Sequence, residues 1–277
     1  MDKKKKITKR IIVNILLVLI ALSVLIPFVY IVLVSFGKDS FMTGSAILPN
    51  QYTLTNYILL FTKNRFSYWI FNSIAISVAT MGIAVVLTTI SVYALSRLRF
   101  RGREQLFSGI MMVQIFPLTL SMVSIHKIFV TLELLDKISG LVLVDSVMAS
   151  ASMILLARGY FSSIPYELDE AAQIDGANRI VIMKKIILPL VKPMLAIVAV
   201  QSFVLAYNEY VIANVVMTGG FKSMPLAVGL QSLIAGQYGT NWSVYCAAAV
   251  IGSVPMVIIF YSMQKYFIGG LAEGGVK

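Results

Sequence analysis

A single cysteine, Cys246, excludes an intrachain disulfide and a cysteine-built metal cluster. A single histidine, His126, leaves no set of imidazoles for a metal or a hydrolytic triad. Charge is scarce as well: 13% of residues are charged, against about 25% in soluble domains. The acidic residues fall mostly in connecting segments, with no carboxylate pair beside a nucleophile, which argues against an intramembrane enzyme. No GxxxxGK[ST] loop is present, so the chain has no means of hydrolysing ATP itself. What fills the composition instead is apolar residues, 58% of the 277. A bilayer crossing takes about 20 such residues, so the length allows roughly six spans and no separate soluble domain.

The runs place these spans at about Ile11–Val34, Tyr68–Ala94, Leu106–Val130, Gly140–Leu156, Pro189–Val215 and Cys246–Phe267. Pro27 marks a kink in the first and Pro117 interrupts the third. MDKKKKITKR has the basic character of a signal-peptide start, but the following run lacks a small-x-small cleavage site and reads as a retained span. Residues 1–10 are then a cytoplasmic basic segment and 11–277 the membrane domain. The net charge of +11 is spread between apolar runs rather than gathered on one face, which points to topology and not to nucleic acid. Lys3 to Lys6, Arg97 to Arg103, Arg158, Arg179, Lys184, Lys185 and Lys192 all fall on the side of the N-terminus in a six-span map. Both termini are therefore expected in the cytoplasm.

One polar stretch stands out, Pro165–Pro193, between the fourth and fifth spans. Pro165 suits a first helical turn, and Glu167, Asp169 and Glu170 place negative charge at the positive end of the helix dipole. Gly176 is suited to positive φ and ends that helix; Asn178 caps a second one expected to run through Ile187. Small residues at Ala171 and Ala172 allow close approach of another backbone. In the fifth span Gln201, Ser202, Asn208 and Glu209 are costly in hydrocarbon and make it the best candidate for a pathway wall.

The spacing Glu170-Ala171-Ala172, three residues, Gly176, nine residues, Ile186, one residue, Leu188-Pro189 resembles the EAA loop of permease subunits of ATP-binding-cassette (ABC) importers. That resemblance implies an all-α polytopic protein whose loop seats in a cleft of an ATPase subunit. Glu170 is similar to the acidic residue that pairs with a basic group there, with Ala171, Ala172, Asp175 and Gly176 seated beside it. GYFSSIPYELDEAAQIDGA, MPLAVGLQ and GGLAEGGVK extend the resemblance to the maltose and maltodextrin type, its MalG-like half. It implies that the tail Gly274, Gly275, Val276 and Lys277 enters the ATPase dimer. The loop around Gly220, Gln231, Gln237 and Tyr238 would contact an extracytoplasmic sugar-binding protein. AYNEY resembles the WNEF-like segment of sugar permeases with Tyr207 in place of tryptophan, which leaves Gln201, Asn208 and Glu209 as a weak substrate set.

The implied partners are a second, MalF-like permease, two ABC ATPases carrying ATP and Mg, the binding protein and membrane lipid. No cofactor and no metal is expected on this chain. Malto-oligosaccharide is the preferred cargo, with raffinose-type and galactan-derived sugars as rivals. An ion-coupled secondary transporter using Asp145 and Glu209, and a non-conducting scaffold, are the readings of a different class.

Overall fold

The computed structural model describes residues 2–38, 48–63, 65–115, 117–220, 222–234 and 241–274, without the side chains of 2–6, 8, 118, 119 and 265–274. Its regular structure is helical: five helices are long and apolar enough to cross a membrane, and a bent pair makes up to six. The chain divides into two compact units, Met1–Phe66 with Leu230–Ser253, and Ser67–Gly229 with Val254–Lys277.

In the first unit α1 (Asp2–Ser35) carries large apolar residues that are exposed all round, from Ile11 to Val29. A helix apolar on every side needs a lipid or protein surround. The connection that follows contains α2 (Thr55–Thr62). No side-chain cap announces this helix. Tertiary bonds hold it instead: the buried Asn56 Nδ2 donates to Ser35 O at 2.9 Å and Gly37 O at 2.7 Å, and the Tyr57 and Ser35 hydroxyls lie 2.7 Å apart.

The second unit is built on α3 (Phe66–Arg97), α4 (Arg103–Ile115), α5 (Leu118–Thr131), α6 (Ile138–Ser162), the short α7 (Glu167–Ile174) and α8 (Arg179–Ile182), and α9 (Leu188–Tyr207). α10 (Ala213–Val216), α11 (Leu226–Ile234) and α12 (Trp242–Gly274) complete the order. The expected third span is two helices, α4 and α5, meeting at 103° next to Pro117, whose ring cannot continue a hydrogen-bonded helix.

The fifth span differs from its sequence reading. The second helix of the loop does not stop at Ile187: a π-helical turn, Met183–Ile187, joins α8 to α9, giving one membrane-length helix from Arg179 to Tyr207. Pro189 falls in the first turn of α9, where its missing N–H breaks no regular α-helical bond. The helix ends eight residues earlier than expected, because the apolar composition continues past Tyr207 while the backbone turns to make α10.

Two apolar cores lie within this unit. One joins Val92 and Leu95 of α3 to Ala157 and Phe161 of α6, Ala172 of α7, Ile182 of α8 and Val191 of α9. The other joins Ile76 of α3 to Phe129 of α5, Leu141 of α6, Ile212, Val216 of α10, Met217 and Val228 of α11. α3 therefore contributes to both cores, one near each end.

Candidate functional site

The 165–193 stretch forms the helix, turn and helix start that its residues dictate. Glu167, Asp169 and Glu170 occupy the first turn of α7. At its end Gly176 takes φ +81°, Ala177 N donates to Ala172 O at 2.9 Å and Gly176 N to Gln173 O at 3.0 Å. This pair of bonds is the Schellman closure, which satisfies the last helical carbonyls and needs a residue free to enter the left-handed region. Two residues on, Asn178 Oδ1 accepts from Val181 N at 2.9 Å and caps α8.

α7 has two faces. Asp169 and Ala172 point inward and are buried. Leu168, Glu170, Ala171, Gln173, Asp175 and Gly176 are exposed, and Ile174 is 88% exposed. Of the α7-loop residues expected at a partner surface, Ala172 packs inside this chain, and Glu170, Ala171, Asp175 and Gly176 are exposed.

The inward face meets Arg97, the last residue of α3, which composition marks only as one more basic residue. Its buried guanidinium lies 3.1 Å from Asp169 Oδ2, donates to Ile164 O at 2.8 Å and Phe161 O at 3.3 Å, and stacks 4.4 Å above the Tyr166 ring. The Asp169 contact is an ion pair through Nη1, and among the described residues Arg97 Nε has no hydrogen-bond partner. Tyr166 OH donates to Ser96 O, and Tyr93 OH to Arg179 O at 3.1 Å. One arginine thus ties the end of α3 to the end of α6 and to α7. Arg158 adds a second tie, bonding Glu104 at 2.8 and 3.0 Å and lying over the Phe107 ring, which fastens α4 to α6. Beside Arg97 is a cavity of about 270 Å³ walled by Tyr93, Arg99, Tyr166, Glu170, Gln173 and Arg179.

At the other end of α3 a second loop is held. Asn72 Nδ2 donates to Lys222 O at 2.9 Å and Met224 O at 3.0 Å, and Ser73 Oγ accepts from Leu226 N at 2.7 Å. Gly229 packs so closely on the buried Trp69 that an added Cβ would fall 2.2 Å from its ring. Gly219 N donates to Asp136 Oδ1, and Gly220 turns the chain at φ +100°. Gln231 is exposed on α11, whereas Gln237 and Tyr238 lie outside the described residues. Gly274 is the last described residue of α12; Gly275, Val276 and Lys277 also lie outside.

The three polar residues of the expected pathway set separate. Gln201 and Asn208 are both exposed and, seven residues apart, share one side of α9 and its cap. Asn208 also donates to Val204 O at 2.9 Å. Glu209 is spent locally: its two oxygens accept from Ile212 N at 2.7 Å and Ala213 N at 2.8 Å. Burial pushes its carboxyl pKa up, while the amides of Ile212, Ala213 and Val211 oppose that rise. Asp145, inside α6, is buried and neither of its oxygens has a hydrogen-bond partner among the described residues.

Against this geometry, the family described as binding-protein-dependent transport system inner membrane component matches residues 97–272, well over half the chain. The chain is 32% identical over 265 residues to the galactooligosaccharides transport system permease protein GanQ of Bacillus subtilis (strain 168), covering 95% of this chain and 93% of that one. It is 32% identical over 271 residues to the maltose/maltodextrin transport system permease protein MalG of Vibrio vulnificus (strain YJ016), covering 92% and 91%. A chain of a bacterial ABC transporter involved in the import of the acidic polysaccharide alginate superposes with a TM-score of 0.79 at 28% identity, covering 93% and 95%. The matched region begins at Arg97, the residue at the centre of the joint.

Proposed function

We propose, on the premise that this chain belongs to the family of binding-protein-dependent transport system inner membrane components, that it imports an oligosaccharide by coupling its membrane helices to partner ATPases through α7. It is a multi-pass inner-membrane permease of an ABC sugar importer and not itself the catalyst. The single observation that carries the coupling reading is the two-faced α7. Its inner face is fixed to α3 and α6 through Asp169 and Arg97, and its outer face presents Glu170, Ala171 and Ile174.

In this reading the exposed face, with Asp175 and Gly176 at the turn, meets an ATPase subunit on the cytoplasmic side. ATP and Mg sit on that partner and not on this chain. Closure of two ATPases displaces α7, and the Arg97 contacts pass the displacement to the spans. Energetically the nucleotide acts by binding one conformation better than the other. The tail Gly274 to Lys277 would make a second ATPase contact, and the loop held by Asn72, Ser73 and Asp136 would face the sugar-binding protein. Residues 1–10 then form a cytoplasmic segment ahead of a single permease domain. A related second permease completes the pathway against the exposed Gln201 and Asn208. Glu209 caps the following turn through its local bonds.

Malto-oligosaccharide is the preferred cargo on the stretches GYFSSIPYELDEAAQIDGA, MPLAVGLQ and GGLAEGGVK that resemble the maltose type, beside a MalG likeness over nearly the whole chain. The GanQ likeness is equally extensive and keeps a galactan-derived sugar as the second reading. ATPase activity of the assembled complex with its cognate binding protein, measured against a panel of oligosaccharides, separates them. Stimulation by maltodextrins and not galactooligosaccharides is expected; the reverse preference overturns the cargo assignment. Transport by the isolated chain in liposomes under an ion gradient alone would overturn the ATP-driven reading.

A further inference from the structure

The cavity beside Arg97 has chemistry that the joint does not use up. Arg97 is buried, with its side chain 3% exposed; among the described residues its Nη1 makes only the 3.1 Å ion pair with Asp169, and its Nε has no hydrogen-bond partner. Buried guanidinium donors are rarely left unsatisfied. The same cavity is walled by Arg99 and Arg179, both exposed and, among the described residues, neither in a side-chain ion pair or hydrogen bond. Three guanidiniums therefore line a space of about 270 Å³ that holds one buried carboxylate, Asp169, and one exposed carboxylate, Glu170.

We infer that this cavity is a receptor for an acidic side chain of the partner ATPase, which enters between Arg99 and Arg179 and pairs with them, the buried charge of Arg97 lying behind. Planar guanidiniums and a carboxylate match in fork geometry, and a partly desolvated pair of this kind is stronger than a surface one. The volume admits a carboxylate side chain together with ordered water. Position selects the source of the anion. Glu170 and Gln173 are at once cavity wall and exposed face of α7, so whatever docks on α7 covers the cavity. Charge selects it too: Glu170 on the wall repels a phosphate dianion, whereas a protein surface supplies a base to Glu170 and an acid to the arginines together. The contact then has both polarities, which fixes register as well as affinity. The inference rests on the reading of α7 as the ATPase-docking helix.

The test uses the assembled complex. Arg99→Gln with Arg179→Gln leaves the joint in place, because Arg179 contributes only its backbone carbonyl to Tyr93. Dissociation of the ATPase subunit is expected to be about tenfold faster in the double variant, with a weaker dependence on salt. In a second arm, Arg99→Lys with Arg179→Lys is treated with a carbodiimide, which condenses an amine and a carboxylate in contact. An amide link from position 99 or 179 to an Asp or Glu of the ATPase, absent from the wild-type complex, is expected. Unchanged dissociation overturns the inference, as does linkage only to carboxylates within this chain. Loss of a copurifying anionic phospholipid with ATPase retention intact also overturns it, by assigning the cavity to lipid. If the wild-type chain retains no ATPase at all, the docking reading itself falls; if wild type and variant retain it equally, only the acidic contact does.

Discussion

The two ends of α3 hold two loops by different means. At the Arg97 end the fastening is charged: a buried guanidinium serves Asp169, two carbonyls of the α6 end and the Tyr166 ring together. At the Asn72 end it is made mostly of neutral bonds to loop backbone, from Asn72 and Ser73, plus the close packing of Gly229 on Trp69. Ser73 and Arg97 are 24 positions apart, about 36 Å along one helix, so one rigid element reaches from one loop to the other. Neutral bonds fail one at a time; a shared buried charge fails as a unit. The α7 loop is accordingly the one suited to carry force, and the 222–229 loop the one suited to adjust to a partner.

The widest gap between the two ends comes from removing each fastening. Arg97→Ala leaves Asp169 buried and unpaired and strips two carbonyls, so a loss of about 3–5 kcal/mol is expected. Denaturation of the purified chain in detergent measures it. Gly229→Ala forces its new methyl into the Trp69 ring, at an expected cost of about 1–3 kcal/mol in the same assay. Asp136→Ala removes the acceptor for Gly219 N and is expected to cost about 1–2 kcal/mol, with faster proteolysis after residue 219 as the local signature. Asn178→Ala removes the α8 cap for about 1 kcal/mol and sharpens the contrast, since it weakens the α7 loop without touching the ion pair. If Arg97→Ala costs no more than Asn178→Ala, the charged fastening does not hold α7.

Much of the α7 loop was legible before any coordinates. The three acids, Gly176 and Asn178 each act locally, within a turn of their own position, and each lies where its chemistry directs, whereas Pro165 falls just ahead of the N-cap Tyr166 and not in the first helical turn. The joint was not legible. Arg97 and Asp169 are 72 positions apart, and SRLRFR reads as charge excess whether or not one arginine is buried. The π-helical turn was hidden for another reason: Pro189 looks like a breaker until the first-turn position of α9 is known. Glu209 has a local role that its sequence context hides: only the turn after Tyr207 reveals that two amides donate to its carboxylate. α2 was missed because its hold is Asn56 reaching back across the connection, with no cap in its own sequence.

The central claim is that the outer face of α7 receives the ATPase while its inner face ties α7 to the membrane helices. Glu170 is exposed and has no part in the Arg97 network, so Glu170→Lys separates the two functions. The decisive measurement is the ratio of ATPase activity with and without sugar-loaded binding protein in the assembled, reconstituted complex. For Glu170→Lys this ratio is expected to fall to about one, with the chain still inserted and as heat-stable as wild type. A wild-type ratio in that variant would contradict the account.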